Sequence, residues 1–517
     1  MKNADVLWVD DEIELLKPHI LFLEDKGYNL ITATNGDDAI KIVNSHSVDL
    51  IILDEMMPGM TGLETLNVIK SLKPSVPVIM ITKSEEEDIM DQAIGSKIAD
   101  YLIKPVKPNQ ILLSIKKNLD TKRLVNQKTT TAYQSQFSQI GIEINSANSF
   151  NEWTEIYKKL VFWELELDRT GDAGISEVLN LQKNEANAGF SKFIRKNYKS
   201  WFSGNNESKP LMSPNLFSKK IYPIMDDHEK VAVILIDNLR FDQWHVIKPL
   251  VSESFNITTE ELYCSILPTA TQYSRNSIFA GLMPLEIGQL YPDLWINDEE
   301  EESKNQYEEE LLKGQLQRSG KNTRFYYEKV SNLKTGKKIL NRVNDLTNYP
   351  LSVIVYNFVD ILSHARTEME LIKELANDEA AYRSLTLSWF EHSHLLDIIR
   401  ELSARKFKVV ITTDHGTVRV FNPLRVVGDR KTSTNLRYKT GRNLNYNPKE
   451  VFEIQNPSDI HLPTINLSSS YIFAMHHDFL VYPNNYNYYS NYFRNTFQHG
   501  GISMEEMLIP VVVLSPK

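Results

Sequence analysis

Cysteine is almost missing from this chain. Cys264 is the only one in 517 residues, which excludes an intrachain disulfide and any Cys-rich zinc finger. Long apolar runs are missing too. No stretch reaches the length of a membrane span, and the start MKNADVLWVDDE lacks a signal-peptide pattern, so a cytoplasmic, non-spanning protein is expected. Positive charge is not in excess. Lys and Arg number 57 against 67 Asp and Glu, and the net charge of −10 argues against general nucleic-acid coating, though not against a local basic pocket. No helix-turn-helix with a basic reading face is recognisable, so a direct DNA-binding domain is not expected. What remains is globular: 42% hydrophobic and 24% charged residues, in a chain too long for one core. We divide it at about 1–120, 121–210 and 211–517, and expect a multidomain α/β protein with a helical connector.

In the first segment, VLWVDDE, DLIILDEMMP, PVIMITKS and ADYLIKP read as strands ending in polar residues, while DDAIKIVNSH and GLETLNVIKSL have helical periodicity. Such alternation implies a parallel, doubly wound sheet. Its edge would gather Asp10, Asp11, Asp54, Thr82 and Lys104. Three carboxylates together favour a hard cation such as Mg2+. The segment resembles the CheY-like response-regulator receiver family, with its flavodoxin-like fold, on DDE at 10–12, LDEMMPGMTG at 53–62, Thr82 and Lys104–Pro105. That resemblance implies Asp54 as phosphoacceptor and Mg2+ held by Asp10, Asp11, Asp54 and the Met56 carbonyl. Thr82 and Tyr101 would be the switch pair, with Lys104 on a phosphoryl oxygen. Lys83, after the switch Thr82, stands where a small residue is frequent. A sensor histidine kinase as donor and a phosphorylation-promoted homodimer are further implications.

The second segment carries helical patterns, with Trp153, Trp163 and Trp201 expected as core anchors of a helical bundle. SGNNESKP at 203–210 is polar and turn-rich and suggests a boundary.

The third segment returns to α/β. KVAVILIDNLR runs into Asp237, LSVIVYNFVD into Asp360, and FKVVITTDHG into Asp414 and His415; MLIPVVVL is a further buried strand. The acidic run at 298–303 reads as solvated surface. Ligands of an open α/β sheet sit at the carboxyl ends of strands, and carboxylates, imidazoles and a hydroxyl suit two-metal phosphoryl transfer. The order Asp237, Thr271, Asp360, His364, Asp414, His415, His499 resembles the alkaline phosphatase superfamily, and the tail HGGISMEEMLIP at 499–510 resembles its PglZ branch. The resemblance implies one Zn2+ on Asp237, Thr271, Asp414 and His415, and a second on Asp360, His364 and His499, with Mn2+ as the other metal in parts of the superfamily. It makes Thr271 the nucleophile over its neighbours Thr269 and Ser274.

Substrate contacts are less defined. Arg240 and Arg275 either meet phosphate or pair with nearby acids. The basic stretch from Leu424, with Arg425, Arg430, Lys431, Arg437, Lys439 and Arg442, is either a solvated loop or the rim of a polyanion site. The tyrosines at 482–492 either stack bases or pack a surface. Without the third metal or arginine that a monoesterase favours, the reading leans to a phosphodiesterase acting on nucleotide or oligonucleotide diesters. The whole order of segments resembles the response-regulator family of the type IX secretion system. That implies contacts with an extracytoplasmic-function sigma factor and a secretion-motor component, and the alternative of a zinc-stabilised docking platform with little catalysis.

Overall fold

The computed structural model describes residues 4–74, 76–83, 98–170, 173–204, 208–227, 230–296, 304–368, 378–428, 433–464 and 469–517. The acidic run at 298–303, together with Arg430 and Lys431, lies outside them. Two compact units divide within the helix Pro108–Ser146, at residues 134 and 135.

The first unit holds a parallel sheet of β1 (Asp5–Val9), β2 (Asn29–Ala33), β3 (Leu50–Asp54), β4 (Val78–Thr82) and β5 (Asp100–Ile103), in the order β2-β1-β3-β4-β5. This is the doubly wound order that places a ligand site where the strand order reverses, here between β1 and β3. β3 and β4 are buried along their whole length, as a sheet covered on both faces requires. Helix starts are written locally. Asn35 accepts from the Asp38 amide, and Thr61 with Glu64 forms a reciprocal cap.

The second unit joins the helical connector to the C-terminal α/β part. Helices Phe150–Asp168 and Ala173–Asn197 pack through Trp153, Phe190, Phe193 and Trp201. A Cβ at Gly189 would stand 2.6 Å from the Trp153 ring, so only glycine allows this approach. Trp153, Trp163 and Trp201 are all buried, as expected of core anchors.

The large sheet contains β6 (Val231–Ile236), β7 (Phe255–Cys264), β8 (Phe325–Val330), β9 (Leu351–Tyr356) and β10 (Lys408–Thr412). After them come β11 (Val418–Arg419), β12 (Asn422–Arg425), β13 (Tyr438–Arg442), β14 (Val451–Ile454), β15 (Ser469–Ala474), β16 (Asp478–Val481) and β17 (Phe497–Gln498), which form small two- and three-stranded sheets. The last strand, β18 (Leu508–Pro516), returns to the large sheet, whose order is β7-β18-β10-β6-β9-β8. β10, β6, β9 and β8 are parallel, while β18 is antiparallel to both β10 and β7. All residues of β6 and β9 are buried, which explains their unbroken apolar sequences.

The connector is tied to this part by polar contacts as well as aromatic ones. Asn187 donates to Glu505 and accepts from the Met504 amide at 3.0 and 2.8 Å, beside the loop that carries His499. Arg383, on the helix Glu379–His392, donates to Glu164 and Asp242 at 2.9 and 2.8 Å and also pairs with Asp168. Lys183 pairs with Glu164 at 2.7 Å. Burial pushes the Glu164 carboxyl up, but Lys183 and Arg383 outweigh it and hold the group at about 2.

Candidate metal centres

In the first unit, Asp10 follows β1 and Asp54 ends β3, and carboxylate oxygens of Asp10, Asp11 and Asp54 lie within 4.8 Å of one another. Lys104 reaches in from the end of β5 and contacts both Asp10 and Asp54 at 2.8 Å. Burial, with Asp10 adding to it, raises the Asp54 carboxyl despite Lys104. A divalent ion fits this hard oxygen set. Tyr101, half-buried on β5, is hydrogen-bonded to the buried Thr82 at the end of β4. Met56 follows on the β3 loop with its side chain exposed, and Lys83 stands 3.6 Å from Glu12 at the surface.

In the second unit, three parallel strands deliver acids to one edge. Asp237 follows β6, Asp414 and His415 follow β10, and Asp360 lies one turn into the helix Phe358–Glu368 after β9. Donor atoms of Asp237, Asp414 and His415 lie within 4.8 Å of one another, all buried. Thr271 opens the helix Thr271–Ala280, and its Oγ1 is 3.1 Å from His415 Nε2. The positive end of a helix dipole therefore lies at this hydroxyl, where it favours an anion. The His415 and His499 rings stack at 4.3 Å, and His499 Nε2 is 3.7 Å from Asp360 Oδ1. His415 Nδ1 meets the Gly416 carbonyl at 3.1 Å and His499 Nδ1 the Thr269 carbonyl at 3.2 Å. Those contacts fix the tautomers, leaving each Nε2 lone pair directed at the cluster. His364 is on the same helix as Asp360, but its side chain lies outside the described residues.

The donor set fits a metal on its own chemistry. Among the described residues Asp237 Oδ1 is buried without a hydrogen-bond donor, and burial pushes this carboxyl well above the usual range. Burial acts the same way on Asp414, but Arg275 and His415 beside it hold that carboxyl at about 2. Mixed imidazole and carboxylate donors are what Zn2+ accepts.

The hydroxyls separate by surroundings. Thr269 is buried, donating to the Gly501 carbonyl and accepting from the Gly500 amide. Ser274 is buried and bonds back to the Ala270 carbonyl. Thr271 is the half-buried one facing the cluster. Gly500 has a φ of +122°, and a Cβ at Gly501 would be 2.5 Å from the Ala474 carbonyl; the turn after His499 therefore requires both glycines.

Three of the four arginines read as candidate substrate contacts are committed elsewhere. Arg240 is buried against Asp242 and Glu379, with its guanidinium over Phe497 and Tyr382. Arg437 is buried against Glu506 and the Asp478 carbonyl. Arg275, fully buried, bonds Asp237, Asp414 at 3.0 Å, Glu308 and Asn357, so it positions the two strand-end carboxylates. Each found an acid supplied by the fold, which satisfies a buried guanidinium better than a transient phosphate. Arg425 alone of the four is exposed. Lys439 is buried too, over the Tyr482 ring, and burial lowers its amine to about 7. The basic rim therefore shrinks, among the described residues, to Arg425 and Arg442. Of the clustered tyrosines, Tyr486 is anchored to the Pro423 carbonyl, whereas Tyr488, Tyr489 and Tyr492 are exposed.

The sequence reading missed Asn238 and Glu308. Asn238 has a φ of +64°, and its amide group lies 3.4 Å from Asp360 and 3.3 Å from Ser363, linking the two ligand groups. An Asn directly after a strand-end Asp was the available signal, since Asn tolerates that backbone region. Glu308 arrives from far along the chain, with no local signal.

Fold and site together define a response regulator: a receiver joined by helices to an alkaline-phosphatase-like output domain. Models of known families match in that order. The response regulator receiver domain matches at 6–116, the PorX response regulator linker domain at 123–202, and the BREX system PglZ alkaline phosphatase-like domain at 216–514. The last match covers more than half of the chain, which belongs to the PglZ family; the three segments together form the PorX-type architecture. Curated relatives match part of the chain. ZraR of Escherichia coli O157:H7, a transcriptional regulatory protein, is 32% identical over 139 residues, 27% of this chain and 32% of its own. ResD of Bacillus subtilis, another, is 32% identical over 157 residues, 30% and 65% respectively. The chain thus spans less than two thirds of these relatives. A receiver domain structure from Methanospirillum hungatei JF-1 is 27% identical, covering 23% of this chain and 95% of its own, with a TM-score of 0.23.

Proposed function

We propose that this protein is a two-component response regulator phosphorylated on Asp54, with a zinc-dependent phosphodiesterase as its output. The carrying observation is the Thr271 hydroxyl, half-buried at a helix N-terminus and 3.1 Å from His415 Nε2, at the edge of the Asp237, Asp414 and His415 cluster. One ion would be held by Asp237, Thr271, Asp414 and His415, the other by Asp360, His364 and His499. When bound, the ions supply Lewis-acid stabilisation of the phosphoryl oxygens and a lower pKa for the hydroxyl. Thr271 Oγ1, its proton released to solvent, attacks phosphorus in line, the bond to the leaving oxygen breaks, and the departing alkoxide takes up a proton from solvent. Water then attacks the phosphothreonine from the vacated face, the P–Oγ1 bond breaks, and the proton that water loses is balanced by one taken up at Oγ1. Arg275 holds the Asp237 and Asp414 carboxylates in place through both displacements. Nucleotide or oligonucleotide diesters are the substrate class.

In the receiver, an Asp54 carboxylate oxygen takes the phosphoryl group from a sensor histidine kinase as the donor P–N bond breaks. Asp10, Asp11, Asp54 and the Met56 carbonyl would hold Mg2+, which would offset the repulsion between the incoming phosphoryl group and the acids. Lys104, already 2.8 Å from Asp54, pairs with the new charge of roughly −1.5 to −2. Thr82 and Tyr101 read the change, and a homodimer forms. In a type IX secretion pathway, an extracytoplasmic-function sigma factor and a secretion-motor component would receive the signal. Among the described residues, no helix is long and apolar enough to cross a membrane.

The test is hydrolysis of bis-p-nitrophenyl phosphate by the zinc-loaded full chain and by Thr271→Val. Turnover that the variant lacks supports the enzyme. No turnover with both ions bound overturns it in favour of the docking platform.

A further inference from the structure

The carboxyl edge of the large sheet carries a second concavity beside the metal cluster. It has a volume of about 420 Å³, within the roughly 300–1,000 Å³ of ligand pockets. Val330 and Tyr356, register partners at the ends of β8 and β9, form its floor. Phe358 and Trp389 form a wall, their rings stacked at 4.3 Å and 3° and both half-buried. Leu333 and Ile361 leave apolar surface exposed around it. Among the described residues no Lys, Arg, Asp or Glu lines it, and its titratable lining groups are Tyr356, His392 and His394.

One polar group inside is unspent. Tyr356 is 4% exposed, and among the described residues its hydroxyl has no hydrogen-bond partner. The hydroxyl is directed at Gly336, where a Cβ would stand 3.3 Å away; glycine leaves the space open. A buried hydroxyl left unpaired is destabilising, and a ligand atom in the cavity that pairs with it would relieve that cost.

The cavity adjoins the proposed reaction site. The Tyr356 carbonyl accepts from the Asp237 amide at 2.8 Å, and Asp360 lies four residues further on. Strands stand ~4.8 Å apart, so the cavity floor at β8 and β9 is one to two strand spacings from Asp237 after β6. A nucleoside bridges that interval.

We propose that this cavity is a base subsite: it takes the uncharged, planar heterocycle of a nucleotide whose phosphoryl group lies at the Asp237, Asp360 and Thr271 centre. This rests on the phosphodiesterase reading and names what its substrate presents. The base stacks on the Phe358 and Trp389 pair, and a ring nitrogen or exocyclic group pairs with the Tyr356 hydroxyl. With no Lys or Arg among its described lining residues, the cavity disfavours a second phosphate, so a longer substrate would run its backbone elsewhere.

Calorimetric titration of the zinc-loaded full chain with adenosine, AMP, ribose 5-phosphate and inorganic phosphate tests the site. AMP should bind roughly 10- to 100-fold tighter than ribose 5-phosphate, the advantage of one stacked base. Trp389→Ala should erase that excess, and Tyr356→Phe should reduce it by roughly 2- to 10-fold. Both variants should keep the wild-type affinity for ribose 5-phosphate, which shows that they fold. Equal affinity for AMP and ribose 5-phosphate in the wild type, or an excess untouched by Trp389→Ala, overturns the proposal. Turnover of bis-p-nitrophenyl phosphate is measured on the same preparation. A base excess without turnover supports the subsite and removes the enzyme, whereas turnover without a base excess does the reverse.

Discussion

Replacing Arg383 with methionine tests whether buried charge fastens the connector to the C-terminal α/β part. The side chain is 3% exposed and shared by three acids: Glu164 and Asp168 from the connector and Asp242 from the helix Phe241–Ser252. Deleting one partner of a buried ion pair costs about 3–5 kcal/mol, because a charge is left uncompensated. Glu164 keeps Lys183 and Asp242 keeps Arg240, which puts the loss near the lower figure. About 3 kcal/mol lowers the folded-to-unfolded ratio roughly a hundredfold. Urea unfolding followed by tryptophan fluorescence reads it, since Trp153 and Trp201 are buried in the connector. The pH dependence carries a sign. Folded Glu164 titrates at about 2, below the roughly 4.3 of an unfolded Glu, so its ion pairs stabilise above pH ~4.3 and are lost as pH falls toward 2. Without Arg383 the depression shrinks, so the variant's deficit is full at pH 7 and narrower at pH 3.5. A deficit under about 1 kcal/mol at pH 7, or the same deficit at both pH values, would refute the reasoning.

Asp54→Asn should give no phosphorylated species with acetyl phosphate and Mg2+, read as a gel shift; a shift equal to wild type would move the acceptor elsewhere. Asp237→Asn should bind one Zn2+ fewer by native mass spectrometry, and chelation of the wild type should stop diester hydrolysis until Zn2+ is restored. Two ions retained by the variant would remove Asp237 from the ligand set. Gly416→Ala should destabilise by about 1–3 kcal/mol or more, because its Cβ would lie 2.0 Å from the Glu505 carbonyl. Wild-type melting with intact zinc binding would count against that crowding.

The sequence by itself determined the elements and the order of the chemistry. Unbroken apolar runs such as VAVILI and LSVIVY mark strands buried on both faces, and an acid just after such a run falls at the sheet edge. That is why Asp54, Asp237 and Asp414 were legible as strand-end acids. Periodicity does not encode direction, so MLIPVVVL read as a buried strand but not as one antiparallel to β10 and β7. The fate of the arginines belonged to tertiary structure. Residue type gives Arg240, Arg275 and Arg437 their charge, but the decisive partners Glu379, Glu308 and Glu506 come from distant elements. An arginine facing water can meet a substrate phosphate, whereas one enclosed with a fixed carboxylate is already neutralised. Only the packed fold decides which of these surroundings a guanidinium has.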